Sequence, residues 1–360
     1  MKPKPVTNRC CPNPACPCYG KFDSGNVIRH SFYKTQSGRR RRFRCQSCNL
    51  TFSSTTGTPY YRLHHPRQLF DEVAQMTVDG VSKSAISRIA RLSWNTVARW
   101  QWLMARCSQR FLDRRLRDFE IIELQADEIK TFVQCKKNER WIFTLLEVWS
   151  RLWLSYQTGR RNYRNIKKLL GEVWRRGKFV GRFLFTTDGY EPYGWAAKGI
   201  FGLTCLYGQV LKKRRHNRVT RVTRRLIFGT AEQLAELLFQ SEDSSTLNTS
   251  FVERHNLTIR QGVAYLGRRT ACHARKAECL DDLLAIQQCY YNFIRPHRGL
   301  KFGKEFRTPA MQAGLVPERL SFRDIFTSRE ASLLCRILKM PSRPVELNFK
   351  EQFARQATVA

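Results

Sequence analysis

Six of the chain's 13 cysteines fall before residue 49, at positions 10, 11, 16, 18, 45 and 48. This cluster constrains the fold more than any other feature. The block around it is rich in Gly, Pro, Ser and Thr and shows no helical periodicity, so by itself it buries too little apolar surface to hold a structure. It needs a staple. The leading residues MKPKPVTNRC lack the apolar run of a secretory signal, and no stretch approaches the ~20 apolar residues of a membrane span. Both observations predict a cytoplasmic chain with no membrane partner, where thiols bind metal more readily than they pair as disulfides. Cys45-Gln46-Ser47-Cys48 is a two-residue knuckle of the kind that gives zinc two tetrahedral ligands. The other two come from Cys10, Cys11, Cys16 and Cys18. The favoured set is Cys11, Cys16, Cys45 and Cys48 around a structural Zn2+, with residues 17–44 forming the hairpin of a ribbon. The later cysteines, from Cys107 to Cys335, are scattered and read as core filling.

Charge narrows the partner. Lys and Arg number 64 against 29 Asp and Glu, a formal net charge of +35. Few soluble enzymes acting on small neutral substrates carry such an excess, whereas a polyanion releases counterions to each cation placed near a phosphate. The charge is patterned. Arg39, Arg40, Arg41 and Arg42 stand in a row, with Asp23 the only acid before Asp71. Lys212, Lys213, Arg214 and Arg215 open a second basic run that extends to Arg225, within a stretch free of acids from Glu191 to Glu232. That run reads either as a phosphate track or as a solvated basic hairpin.

Residues 67–117 change to helical spacing. Leu69, Phe70, Val73 and Met76 mark a first helix that Asp79-Gly80 ends. Ser82 or Ser84 caps a second with Ile86, Ile89 and Ala90, and Ser93 caps a third with Val97, Trp100 and Leu103. The proportions are those of a helix-turn-helix, whose third helix offers Asn95, Thr96, Arg99 and Gln101 to a base edge or phosphate. A plain three-helix spacer has the same pattern.

From residue 120 the pattern alternates. Strands are expected at 121–133, 140–148 and 152–156, with a hairpin at Trp149-Ser150-Arg151. A helix at 163–176, a strand at 183–187, a short helix, a strand near 203–211, a helix at 232–240 and a long helical region at 250–293 follow. This order makes a mixed α/β domain. The predicted division is 1–62, 63–117, 118–315 and an unassigned tail at 316–360.

In so basic a chain, acids set in apolar surroundings stand out. Asp127 lies within a strand, Asp188 at the end of FLFTT, and Glu253 near the start of a helix. Carboxylates brought together hold two Mg2+ or Mn2+ ions, which activate an attacking oxygen and stabilise a leaving one. Each acid also has a structural reading. Asp127 fits an edge strand, with Glu128 a competitor for its role. Asp188-Gly189 fits a turn, and Ser250 to Glu253 fits a capping box.

Together these motifs resemble bacterial insertion-sequence transposases of the DDE type, of the group built from a zinc ribbon, a helix-turn-helix and a ribonuclease-H-like catalytic domain. The resemblance covers residues 11 to about 300. It rests on CPNPAC and CQSC with RRRRFRC between, ADE at 126–128, TTDGY at 186–190, NTSFVERHNLTIRQ at 248–261 and YYNFIRPHRGL at 290–300. It implies a ribonuclease-H-like mixed sheet with flanking helices and Asp127, Asp188 and Glu253 as the catalytic metal-binding triad. It further implies Arg260 as a phosphate contact, with His297 and Arg298 as weaker correspondences. A DNA transposase of this kind acts on double-stranded terminal inverted repeats as a homo-oligomer, at the bacterial nucleoid. A nuclease or resolvase of the same fold, or an inactive zinc-ribbon regulator, carries many of the same features.

Overall fold

A computed structural model describes residues 5–332 except 36, 37 and 217, with Arg214 described by its backbone alone. Positions from 333 onward lie outside the described residues.

The N-terminal block is a three-stranded antiparallel sheet, β1 (Val27–Thr35), β2 (Gly38–Cys45) and β3 (Thr51–Ser53). Its hairpin lies between the two cysteine pairs, as the ribbon reading expects. Val27, Phe43 and Phe52 form its small apolar core.

Three helices follow: α1 (Arg67–Val78), α2 (Lys83–Ile89) and α3 (Trp94–Arg115). Ser82 Oγ accepts from the Ala85 N–H and Ser93 Oγ from the Thr96 N–H, satisfying donors that a helix start leaves unpaired. Phe70, Val73, Ile86, Val97 and Trp100 face the core as their spacing predicts. Ile89 does not: at 64% exposed it closes the last turn of α2 on the solvent side.

Next come β4 (Phe119–Glu120), β5 (Glu123–Phe132), β6 (Glu139–Glu147), β7 (Trp153–Gly159), α4 (Tyr163–Arg176) and β8 (Gly177–Lys178), the last pairing with β4. Then follow β9 (Phe183–Thr187), α5 (Pro192–Phe201), β10 (Cys205–Arg215), β11 (Arg218–Phe228), α6 (Ala231–Gln240), α7 (Ser250–Gly262) and α8 (Ala277–Phe293). A short pair β12 (Lys301–Phe302) and β13 (Glu305–Phe306), with α9 (Pro309–Gln312) and α10 (Phe322–Thr327), completes the order. The main sheet is mixed and six-stranded, β11-β10-β9-β5-β6-β7. β5, β6 and β7 run antiparallel, while β9 lies parallel to both β5 and β10. The fully buried FLFTT of β9 suits a strand with neighbours on both sides. The hairpin at Trp149-Ser150-Arg151 forms, and the buried Glu147 carboxylate receives the N–H groups of Trp149 and Ser150.

Two elements differ from expectation. The strand expected near 203–211 starts at Cys205, because Gly202–Thr204 is a 3-10 turn, and it runs on through the basic segment. Beyond Gln209 it pairs only with β11, so the basic run is a two-stranded ribbon leaving the sheet. The long helix expected at 250–293 is two helices. α7 ends at Gly262, where an added Cβ would meet the Gln287 side chain at 2.3 Å; this close crossing lets α7 and α8 pack as separate rods.

One apolar core runs from Tyr60 through α1, α3, the sheet and α8 to Ala331. Phe111 of α3 meets Phe293 of α8 edge-on at 4.9 Å. The helical segment and the sheet therefore pack as one body, and the expected boundary at 117/118 is no packing boundary. Part of the unassigned tail belongs to the same core. Phe322, Ile325 and Phe326 of α10 are buried, with the Phe326 ring against Phe70 at 5.8 Å. Asp71 of α1 also takes a hydrogen bond from Tyr60 and an ion pair from Arg323.

Candidate functional site

The cysteine cluster resolves the choice among thiols. The sulfurs of Cys11, Cys16, Cys45 and Cys48 all lie within 4.8 Å of one another, a spacing that suits tetrahedral zinc thiolate. Each pair is held by a tight turn. The Cys16 N–H donates to the Asn13 carbonyl, and the Cys45 N–H to the Leu50 carbonyl. Burial disfavours a Cys45 thiolate, but the N–H groups of Cys48 and Ser47 and the Asn26 amide outweigh it and bring the thiol down to about 6. Asn26 Nδ2 sits 3.1 Å from Cys45 Sγ. Cys18 points instead to Ser47 Oγ at 3.4 Å. Cys10 is buried outside the foursome.

The acids converge elsewhere. β5 and β9 pair in parallel with Gln125 level with Thr186, so two residues further on Asp127 and Asp188 stand side by side. Asp127 is not on an edge strand, since β5 has β9 and β6 as neighbours. α7 crosses β5 and β6, its Val252 N–H received by Gln125 Oε1 at 3.2 Å, and brings Glu253 to the same cleft. The cleft measures about 910 Å³ and is lined by Asp127, Glu128, Asp188, Glu253, Arg161 and Lys212, among others.

Within it, carboxylate oxygens of Asp127, Glu128 and Asp188 lie within 4.8 Å of one another. Glu253 is not in that group; it pairs with Lys212 and accepts from Thr249 Oγ1 at 2.6 Å. The capping box expected at Ser250 does not form, because α7 begins after Thr249 with no side-chain cap. The turn reading of Asp188 has substance, since its Oδ1 takes the Tyr190 N–H at 3.0 Å, but Oδ2 faces the cleft cation Arg161 at 3.8 Å. Burial pushes Asp127 up to about 6 against the pull of the Glu128 N–H, with Asp188 adding repulsion. Burial and then Asp188 push Glu128 up to about 7. Acids strained toward protonation in this way gain most from a cation among them.

The basic residues divide by exposure. Arg39 and Arg41 flank the Phe32 ring, at 4.1 and 3.6 Å, and Arg42 lies over Tyr33. Arg40 is only 8% exposed, so its place in the DNA-contact set is corrected: packing covers this side chain, while Arg42, two residues on along β2, stays half-buried. Asn95 and Arg99 are exposed and Thr96 is half-buried on α3. Gln101 is also corrected. It is buried and donates to Thr77 Oγ1 at 3.0 Å, tying α3 to α1. Lys213 and Arg215 are exposed on the ribbon, and the Arg214 side chain lies outside the described residues. Arg260 lines the acidic cleft with Arg268. His255 is a core histidine, its ring 4.7 Å from Trp153 and 4.5 Å from Tyr291. His297 caps a 3-10 turn by accepting the Gly299 N–H, and Arg298 is exposed.

Among the cleft residues that sequence reasoning did not single out are Arg161, Thr249, Asn256 and Arg268. Asn256 had a legible signal, since three residues after Glu253 it shares a helix face with it. No helix among the described residues is long and apolar enough to cross a membrane. Neither a protein-family model nor a curated protein matches this chain.

Proposed function

We propose that this chain is a DNA transposase of the DDE type, with a ribonuclease-H-like catalytic sheet, which cleaves double-stranded DNA at terminal inverted repeats and joins the freed ends to a target. The observation that carries the reading is the register placing Asp127 beside Asp188 on parallel neighbours, with Glu253 in the same cleft and cations around it. A sheet with three antiparallel strands followed by parallel ones on the other side of the first agrees with that fold. Function is argued from the cleft, not the fold alone.

The donor set fits a hard divalent cation such as Mg2+ or Mn2+: oxygens only, with Asp127 mostly buried, Asp188 and Glu253 open to the cleft, and one Glu128 oxygen without a well-formed hydrogen bond. Such ions, when bound, supply activation of an attacking hydroxyl and neutralisation of phosphate charge. Asp127, Asp188 and Glu253 would hold them. Asn256 and the Glu128 N–H orient the Asp127 carboxylate. Arg260 and Arg268 would meet phosphate oxygens at the cleft wall, and the β10–β11 ribbon would follow the backbone through counterion release. The exposed start of α3 would sit in the major groove. The four thiolates would hold a structural Zn2+ in the ribbon module. Two DNA ends acting together imply a homo-oligomer.

The test incubates the full-length protein with Mg2+ or Mn2+ and duplexes ending in the inverted repeats that flank its gene. Joined strands are expected, and Asp188→Asn should abolish both cleavage and joining. Unchanged activity in that variant would remove the cleft from the reaction. Cleavage without joining would make the chain a nuclease, and repeat binding without either a regulator.

A further inference from the structure

Arg161 holds an unusual position. Its Nη2 lies 3.2 Å from Glu128 Oε2 and 3.8 Å from Asp188 Oδ2, so one guanidinium nitrogen spans two of the three clustered carboxylates. The group is fixed there by its faces. It lies over the Tyr190 ring at 3.8 Å and the Trp141 ring at 4.9 Å, and the Tyr190 hydroxyl donates to the Arg161 carbonyl. Arginine's planar, weakly hydrated cation suits such stacking.

Glu128 explains why a cation belongs there. Its side chain is 2% exposed, yet Oε1 makes no well-formed hydrogen bond; the buried Tyr193 hydroxyl is the one donor beside the Glu128 carboxylate besides Arg161 among the described residues, and it too makes no well-formed bond. A buried carboxylate oxygen left unpaired costs free energy unless something satisfies it, and Arg161 reaches only Oε2. Asp127, by contrast, has both oxygens engaged, one by the Glu128 N–H at 2.8 Å and the other by Asn256 Nδ2 at 2.9 Å. Of the two neighbouring acids on β5, Glu128 is the one with coordination to spare.

We propose that Glu128 is a direct ligand of the divalent cation, alongside Asp127 and Asp188, and that Arg161 stands in for that cation when it is absent. This rests on the cleft being the cation site of the proposed enzyme. A dication outcompetes a single guanidinium charge for the same oxygens. Released from Glu128, Arg161 remains stacked at the cleft, its donors free for a phosphate oxygen.

The test is direct titration of the zinc-loaded full chain with Mn2+, following free Mn2+ by electron paramagnetic resonance. Glu128→Gln, which keeps shape and removes charge, is expected to weaken Mn2+ binding by about tenfold or more. Arg161→Gln is expected to tighten it by about two- to fivefold, the scale of a partly exposed ion pair. Asp127→Asn and Asp188→Asn should both weaken it. Wild-type affinity in Glu128→Gln, with binding lost in the two Asp variants, overturns the role of Glu128 and leaves the cleft reading standing. Wild-type affinity in all three acid variants overturns both. If Glu128→Gln loses its thermal unfolding transition, Arg161→Gln decides, because damage to the fold does not raise affinity. Affinity in that variant equal to or below wild type overturns the proposal.

Discussion

Asn256 Nδ2 donates to Asp127 Oδ2 at 2.9 Å, and Thr144 Oγ1 in turn donates to Asn256 Oδ1 at 2.8 Å. One amide therefore links α7, β5 and β6 and sets the angle of a cleft carboxylate. Asn256→Ala takes a charged-group hydrogen bond from the mostly buried Asp127, while the Thr144 hydroxyl keeps the Asp127 carbonyl at 3.1 Å as acceptor. Hydrogen bonds to charged groups contribute about 1.5–3 kcal/mol, so the variant should lose stability on that scale in urea unfolding. An unchanged midpoint would show that the amide does not hold the carboxylate.

The thiolate cluster predicts a discriminating set of substitutions. Cys45→Ser should drop bound zinc from about one ion per chain toward none, since three-sulfur sites are poor structural zinc ligands. Cys10→Ser and Cys18→Ser should each retain it. Metal content by elemental analysis separates these outcomes, and zinc lost from Cys18→Ser would revise the foursome.

Gly80 ends α1 at φ +76, and an added Cβ would meet the Gln261 carbonyl oxygen at 2.3 Å. Both the left-handed backbone and the contact with α7 require glycine. Gly80→Ala is expected to cost about 2–4 kcal/mol, more than strain at φ alone, and to lower the thermal midpoint accordingly. A shift of only a degree or two would mean that α1 and α7 separate without cost.

His297 gives the pH dependence. Burial, then Arg151, Arg295 and Arg254, bring it from 6.5 down to about 4. The neutral ring is the folded form, so its contribution is present above about pH 6.5 and is lost as pH falls toward 4. His297→Asn keeps an acceptor for the Gly299 N–H and does not titrate. After allowance for partial exposure, it should reduce the stability lost between about pH 7 and pH 4.5 by about 1–2 kcal/mol. Denaturation midpoints at the two pH values measure this directly.

Much of this architecture is written locally. The spacing of Ile166, Leu169, Leu170 and Val173, the caps at Ser82 and Ser93, and the apolar run of β9 each specify an element through neighbours in the chain. What escaped depends on distant partners. Four thiols within nine residues are chemically equivalent until the Asn13 turn orients Cys16 and leaves Cys18 aside. Gln101 is polar at a position open to solvent on a bare helix, and only Thr77 of α1 makes it interior. Glu128 reads in the sequence as a competitor of Asp127 rather than its companion, and alternation along a strand sends such neighbours to opposite faces. β9 stops at Thr187, however, and past that point Asp127 and Glu128 reach into one space with Asp188. Glu253 was legible as an acid of the cleft, but its ion pair with Lys212 was not, because 41 residues separate them.

The 22 residues of α3 form a rod about 33 Å long, with Asn95 near one end and Phe111 seated on α8 toward the other. Since the same core encloses α3 and the sheet, no tether lies between the end that faces solvent and the carboxylates. On the proposed reading, a duplex gripped at Asn95 and cut at the cleft would be cut at a fixed distance from the grip, and adding one base pair would move the phosphate there by about 3.4 Å. On that reading the molecule would act as a caliper whose jaws are set by folding.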